Sequence, residues 1–316
     1  MAGERDFIAQ RLAPIADTPA ARGLADDAAV WTPPLGRDLV FTHDIVACGV
    51  HYLPGDPPSD IAWKLLAVNL SDLAAMGAVP SGVLMGLGLS AAEDDGWRAA
   101  FTAGLARALD HFAVPLWGGD TATGLAAAVL GVTAIGTVAR GMAMGRRAAQ
   151  AGDDVWVWGT VGDAGLGLAI ARGDTAPDKF LLNRFRRPSP RLALGQALVG
   201  IASACMDVSD GVLIDADRLA RASNAGVVIE LAAVPLSPAA AARTHGDADR
   251  LARVTAGDDY ELLFTAAPAR ADAVRAAAAL VGTAVTRIGT VTASPGLVAR
   301  GAGGADLTPQ RLGWEH

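Results

Sequence analysis

Carboxylates recur where apolar segments meet small residues. Asp26 and Asp27 sit in LADDAAV, Asp44 in FTHD and Asp120 in GGDTATG; Asp207 and Asp210 sit in MDVSDG, Asp258 and Asp259 in AGDDYEL. Such turns let side chains converge at a cleft while the backbone approaches a ligand. Taken singly, each also reads as a turn former or helix cap, and Asp210, followed by Gly211 and a helical pattern, suits a cap. Asp72 suits neither. From Asp60 to Gly77 the sequence reads as a helix with Asp60 at its N-cap, and Ile61, Leu65 and Val68 mark one apolar face. Asp72 is the next position on that face. A buried carboxylate must be neutralised, paired or bound to metal. Asn69, one turn back, offers a further oxygen. Hard oxygen donors without His or Cys spacing point to magnesium, calcium or manganese rather than zinc. Magnesium commonly bridges carboxylates to substrate phosphates.

Other chemistries find less support. The P-loop pattern G-x-x-x-x-G-K-[ST] is absent, as are the protein-kinase motifs, H-E-x-x-H and G-x-S-x-G. GTVGDAGLG reads as a tight strand-to-helix turn rather than a dinucleotide fingerprint. The five histidines form no ligand spacing, although His51, after a strand in GVHY, is placed to touch a substrate. Cys48 and Cys205 read as free, buried thiols. The net charge is −7, with lysine only at Lys64 and Lys179 and no basic tail. A nucleic-acid partner is not expected.

These residues need rigid elements to hold them. The 316 residues, 52% hydrophobic and 19% charged, suffice for two domains with large cores. RDLVFTHD reads as a strand ending at Asp44, Asp94 to Phe112 as a helix, VPLWGGDTATG as a strand end and Gly-Gly turn, and Ala126 to Val138 as a strand. The polar, basic stretch from Arg140 to Ala151 marks a boundary, giving domains of residues 1–140 and 141–316. Beyond it, DDVWVWG, VVIEL, ELLFTAA and TRIGTVT read as strands. GDAGLGLAIAR, SPRLALGQALVG, the segment from MDVSDG to Gly226 and a stretch after Pro268 read as helices. Mixed strand and helix in both halves argues for an α/β (α+β) fold in packed layers. The longest apolar run, Ala126 to Ala139, is shorter than the ~20 residues of a membrane helix. MAGERDF has no apolar leader, so a cytoplasmic location without a membrane partner is expected.

In order, LADDAAV, FTHD, GVHYLP, KLLAVNLSDLAAMGAVP, GGDTATG, MDVSDG and GDDYELLF resemble the thiamine-monophosphate kinases, of the superfamily that includes aminoimidazole ribonucleotide synthetase. The resemblance runs from about residue 5 to Trp314. It implies a two-domain fold with an N-terminal ATP- and metal-binding domain whose sheet pairs across a homodimer. It also implies a C-terminal domain that completes the active site. The implied substrates are ATP and thiamine monophosphate, with several magnesium ions at Asp27, Thr42, His43, Asp44, Asp72, Asp120, Asp207 and Asp210. Gly119, Asp120, Arg146 and Ser209 match positions that meet ATP; His51, Asp258 and Trp314 match positions that meet thiamine. Two positions depart from the family pattern: His43 stands for a threonine in S-T-D-T, and Thr123 for an arginine in G-G-D-T-T-R-G.

The implied chemistry is direct in-line phosphoryl transfer, in which Asp44, Asp72, Asp120 and Arg146 align the reactants and offset charge. The alternatives are another ATP-using member of the superfamily, a metal-dependent phosphohydrolase using the same carboxylates, and a non-catalytic nucleotide sensor.

Overall fold

The computed structural model describes residues 4–315. Residues 1–3 of the MAGERDF segment, and His316, lie outside the described residues. The chain forms two compact units, one of residues 1–73 and 79–141, the other of 74–78 and 142–316.

The first unit is built on four strands: β1 (Arg37–Ala47), β2 (Val79–Ser90), β3 (Leu116–Leu125) and β4 (Val129–Ala139). Their order is β1-β4-β2-β3. β4 runs antiparallel to both β1 and β2, while β3 joins β2 in parallel. Period-two side chains divide the sheet into two faces. Val40 and Val46 of β1, Val83, Met85 and Leu87 of β2, and Leu130, Val132 and Ala134 of β4 are buried on one face. The other face carries exposed Leu39, Phe41, Ile45, Leu84 and Val129.

Several boundaries differ from the sequence reading. β1 continues three residues past Asp44, so this carboxylate lies within the strand. VPLWGGDTATG is no turn: strand β3 runs through it, held by pairing with β2. β2, with three glycines and a proline, has weak strand propensity and gave no sequence signal; the sheet around it overrides propensity. The helix expected from Asp60 spans Pro58–Ala75, because the Pro57 carbonyl already accepts the Asp60 and Ile61 amides. Asp60 therefore lies in its first turn rather than at its cap. The second helix, Asp95–Phe112, starts as expected, with the Asp94 carboxylate accepting the Trp97 amide at 2.7 Å.

The second unit holds β5 (Asp154–Trp158), β6 (Ala204–Asp207), β7 (Gly226–Glu230), β8 (Leu262–Ala266), β9 (Val285–Thr292) and β10 (Gly296–Arg300). Their order is β10-β7-β9-β5-β8-β6, with β10 parallel to β7 and the other neighbours antiparallel. β5 explains the D-V-W-V-W pattern. Val155 and Val157 pack with Leu213, Leu219 and Ile288 on one face, while Trp156 and Trp158 pack with Leu194, Leu198 and Phe264 on the other. Both faces are covered, so the whole strand is buried. The helix after MDVSDG spans Val212–Ala222, and the left-handed residue beyond it is Asn224, φ 54°; Gly226 opens β7 instead. Among the described residues, no helix is long and apolar enough to cross a membrane.

Candidate functional site

In the first unit, Thr42 and Asp44 lie on the same face of β1 by strand alternation. Asp72 reaches Thr42 from the Pro58–Ala75 helix: the Thr42 hydroxyl donates to the Asp72 carboxylate. That helix is buried nearly all round, not along one stripe. Leu65, Leu66, Leu70 and Leu73 are all fully enclosed, and Asp72 is among its few partly open positions. The carboxylate therefore sits at an opening in a buried helix. Asn69 fixes the geometry. Its Oδ1 accepts the Asp44 amide at 2.8 Å, and its Nδ2 donates to the Leu65 carbonyl at 3.0 Å and the Asp44 carbonyl at 3.5 Å. Its oxygen is thus a backbone clamp rather than the spare ligand that spacing suggested.

The remaining N-terminal residues lie apart. His43 points to the opposite face of β1, where its Nδ1 meets Thr133 Oγ1 at 2.9 Å. Asp120 is in register with Gly86, Gly131 and Ile45, so its side chain also projects from the exposed apolar face. β1 and β3 are opposite edges of the sheet, three strand spacings or about 14 Å apart. Within one chain, Asp120 and the Asp44–Asp72 group are thus separated by both edge and face. Gly119 enables the approach of β3: a Cβ there would lie 1.9 Å from the Met85 carbonyl oxygen. Asp27 is exposed in a bend, next to Asp26, which pairs with Arg22. His51 Nδ1 accepts the Ala47 amide at 3.2 Å, which leaves the proton of a neutral ring on Nε2. Its carbonyl accepts from buried Lys64 at 2.9 Å.

The second unit gathers its residues. The loop from Asp207 to Gly211 is the hub. The Asp258 amide donates to the Ser209 carbonyl at 2.7 Å, the Tyr260 amide to Val208 at 2.8 Å, and the Trp314 amide to the Asp210 carbonyl at 2.9 Å. Glycines permit this closeness: a Cβ on Gly257 would lie 2.6 Å from the Ser209 oxygen, and one on Gly313 2.5 Å from the Asp210 oxygen. Ser209, Asp210, Asp258 and Trp314 are thereby joined through backbone. The Trp314 side chain is 48% exposed, with the Arg311 guanidinium 5.6 Å from its ring centre. Asp207 is buried at the end of β6. Arg146 is exposed, and its carbonyl accepts from Ser223 Oγ at 2.7 Å.

Asp259, which the sequence pattern placed at a cleft, is instead buried behind this hub, and spacing did not single out Asp215, Arg218 or Glu261. Arg218 Nη1 bonds Asp210, and also Asp215 at 2.9 Å. Burial pushes the Asp215 carboxyl up to about 6, against the opposing Asp210 amide and Arg218. Asp259 is fully buried and accepts the Gly162 and Ala164 amides at 2.6 and 3.1 Å. Burial pushes it up to about 7, while those amides and Arg184 favour its charged form. Glu261, also fully buried, takes Arg184 Nη2 and both Nε and Nη2 of Arg191 at 2.6 Å. Asp258 and Tyr260 adopt left-handed backbone, φ 70° and 49°, at a cost of roughly 1–3 kcal/mol each.

Among the described residues, no three His, Cys, Asp or Glu side chains form a ready metal shell. Thr42 and Asp72, which meet, and Asp44, on the same face of β1, offer hard oxygens, and these suit magnesium, which takes one or two carboxylates and completes its shell with water and phosphate.

Residues 25–138 match the family of AIR synthase related proteins, N-terminal domain, and residues 150–301 the corresponding C-terminal domain. The thiamine-monophosphate kinase of Caulobacter vibrioides is 40% identical over 99% of this chain and 90% of its own. The crystal structure of thiamine-monophosphate kinase from Stenotrophomonas maltophilia K279a is 40% identical, with TM-score 0.81 over 88% of this chain and 90% of that one. AaThiL complexed with AMPPCP and TMP is 27% identical, with TM-score 0.78 over 89% of each chain. The chain belongs to the AIR synthase related family, among its thiamine-monophosphate kinases.

Proposed function

We propose that the protein transfers the γ-phosphoryl group of ATP to thiamine monophosphate, giving thiamine diphosphate and ADP. The observation that carries this reading is the Thr42–Asp44–Asp72 group, aimed from a buried helix and a sheet strand clamped together by Asn69. The solved relative complexed with AMPPCP and TMP supports the choice of reactants.

Phosphoryl transfer needs alignment and charge stabilisation more than covalent help. The acceptor is itself a phosphate monoester with a second pKa of about 6, largely ionised near neutrality, so no general base is required. The obstacle is repulsion between two anions. Magnesium, when bound, would supply the charge neutralisation that lets them approach. Its holders in the first unit would be Asp44, Asp72 and the Thr42 hydroxyl, with Asp27, Asp120 and the His43 backbone contributing; in the second, Asp207 and Asp210. Gly119 and Ser209 would meet the nucleotide, and Arg146 would stabilise equatorial charge on the transferred group. His51 would contact the substrate, Asp258 would complement the cationic thiazolium, and Trp314 would stack on a ring. Transfer would be in-line without a phosphoenzyme; retention of configuration at phosphorus would refute that.

We also assign a homodimer. An exposed apolar face marks an interface, and Phe41, 62% exposed, stands out on its β1 edge. Asp120 projects from the same face, so pairing through it would bring a second Asp120 into play. With ATP as co-substrate, the assigned location is the cytoplasm.

The test is a coupled assay with ATP, magnesium and thiamine monophosphate, run on the wild type and on Asp72→Asn. Equal amounts of thiamine diphosphate and ADP, abolished in the variant, are expected. ATP hydrolysis independent of thiamine monophosphate would instead make the protein a phosphohydrolase.

A further inference from the structure

Glu261 lies inside the second unit, yet its surroundings are organised around the segment that carries Asp258. From Gly257 to Glu261 the chain alternates. Asp258 and Tyr260 take left-handed backbone, while Asp259 and Glu261 turn inward and are almost completely buried. Non-glycine residues persist in that region only where their surroundings over-determine them. Backbone bonds to Val208 and Ser209 hold one side of the segment. The other side is held by two arginines from NRFRRPSPR. Arg191 forms a two-pronged bond to Glu261, and Arg184 Nη2 donates to Glu261 at 2.6 Å and to the Asp259 carbonyl at 3.3 Å. The carboxylate packs closely against Gly159, where a Cβ would lie 2.5 Å from it. A buried ion pair of this kind is poor evidence of a gain in stability; its attested use is to select one conformation.

We infer that Glu261, clasped by Arg184 and Arg191, is a positioning residue that holds Asp258 in its strained conformation and so sets affinity for the cationic ring of thiamine monophosphate. This rests on the assignment of Asp258 to that ring.

Arg191→Lys keeps the charge and removes the fork; it is milder than Glu261→Ala, which strands two guanidinium groups. KM for thiamine monophosphate should rise about tenfold, the factor expected from losing one charged hydrogen bond. KM for ATP and kcat should stay within about twofold. Hydrogen exchange at the Asp258 and Tyr260 amides should accelerate. Arg300→Ala, which breaks a half-exposed pair with Glu230, should change none of these. A lower melting temperature with KM for thiamine monophosphate unchanged would overturn the inference, leaving a purely structural pair. If the wild type does not phosphorylate thiamine monophosphate, the functional reading falls by itself. The positioning role is then judged by exchange alone, and unchanged rates at Asp258 and Tyr260 in Arg191→Lys would overturn it.

Discussion

The two units arrange their acidic residues in opposite ways. In the first, position is set by side-chain direction on a sheet: Thr42 and Asp44 project from one face, and Asp120 from the other face at the far edge. In the second, it is set by backbone: Asp258 and Trp314 are hydrogen-bonded onto one loop that also carries Ser209 and Asp210. A sheet spreads functional groups at fixed spacings and leaves another surface to unite them. A loop hub unites them at once, at the cost of strained dihedrals and glycines that cannot be replaced.

That contrast can be broken experimentally. Asp44→Asn and Asp120→Asn should each lower kcat by about 10²–10³-fold. If copies share carboxylates across the sheet face, co-expressing the two variants should restore about a quarter of wild-type activity, since half the dimers are mixed and one of their two sites is intact. A mixture that stays inactive would place all the needed carboxylates within a single chain. Phe41→Asp should weaken the proposed dimer about 100-fold or more, read by sedimentation across a concentration series. Gly313→Ala should push Trp314 off the Asp210 carbonyl and raise KM for thiamine monophosphate about tenfold, with KM for ATP little changed. An equal rise in both would mean that the hub does not separate the two substrates. Asn69→Ala should cost about 1–3 kcal/mol, seen as a melting temperature lower by a few degrees, because the Asp44 amide loses its partner.

Sequence reading was strongest where periodicity is local. The helix bearing Asp72, the strand bearing Asp44 and the D-V-W-V-W strand all follow from spacings within a few residues. It was weakest where pairing is distant. GGDTATG looks like a turn because glycines are poor strand formers, and only β2 alongside makes it a strand. The opposed directions of Asp44 and Asp120 depend on the register of three strand pairs, which no local pattern encodes. Asn69 looked like a ligand because one turn of helix brings it near Asp72, whereas its amide is spent on β1. Glu261 gave no signal, since its arginines lie 70 and 77 positions away.

The Asn69 clamp also bears on how the chain avoids misassembly. β1 is an edge strand eleven residues long, and such an edge offers its outward amides and carbonyls to any passing strand. Asn69 occupies both groups of Asp44, near the middle of that edge, so an incoming strand meets an interrupted ladder. The residue that fixes the Asp44 backbone thus also interrupts the open edge of β1, which guards against strand pairing while the first unit is newly made.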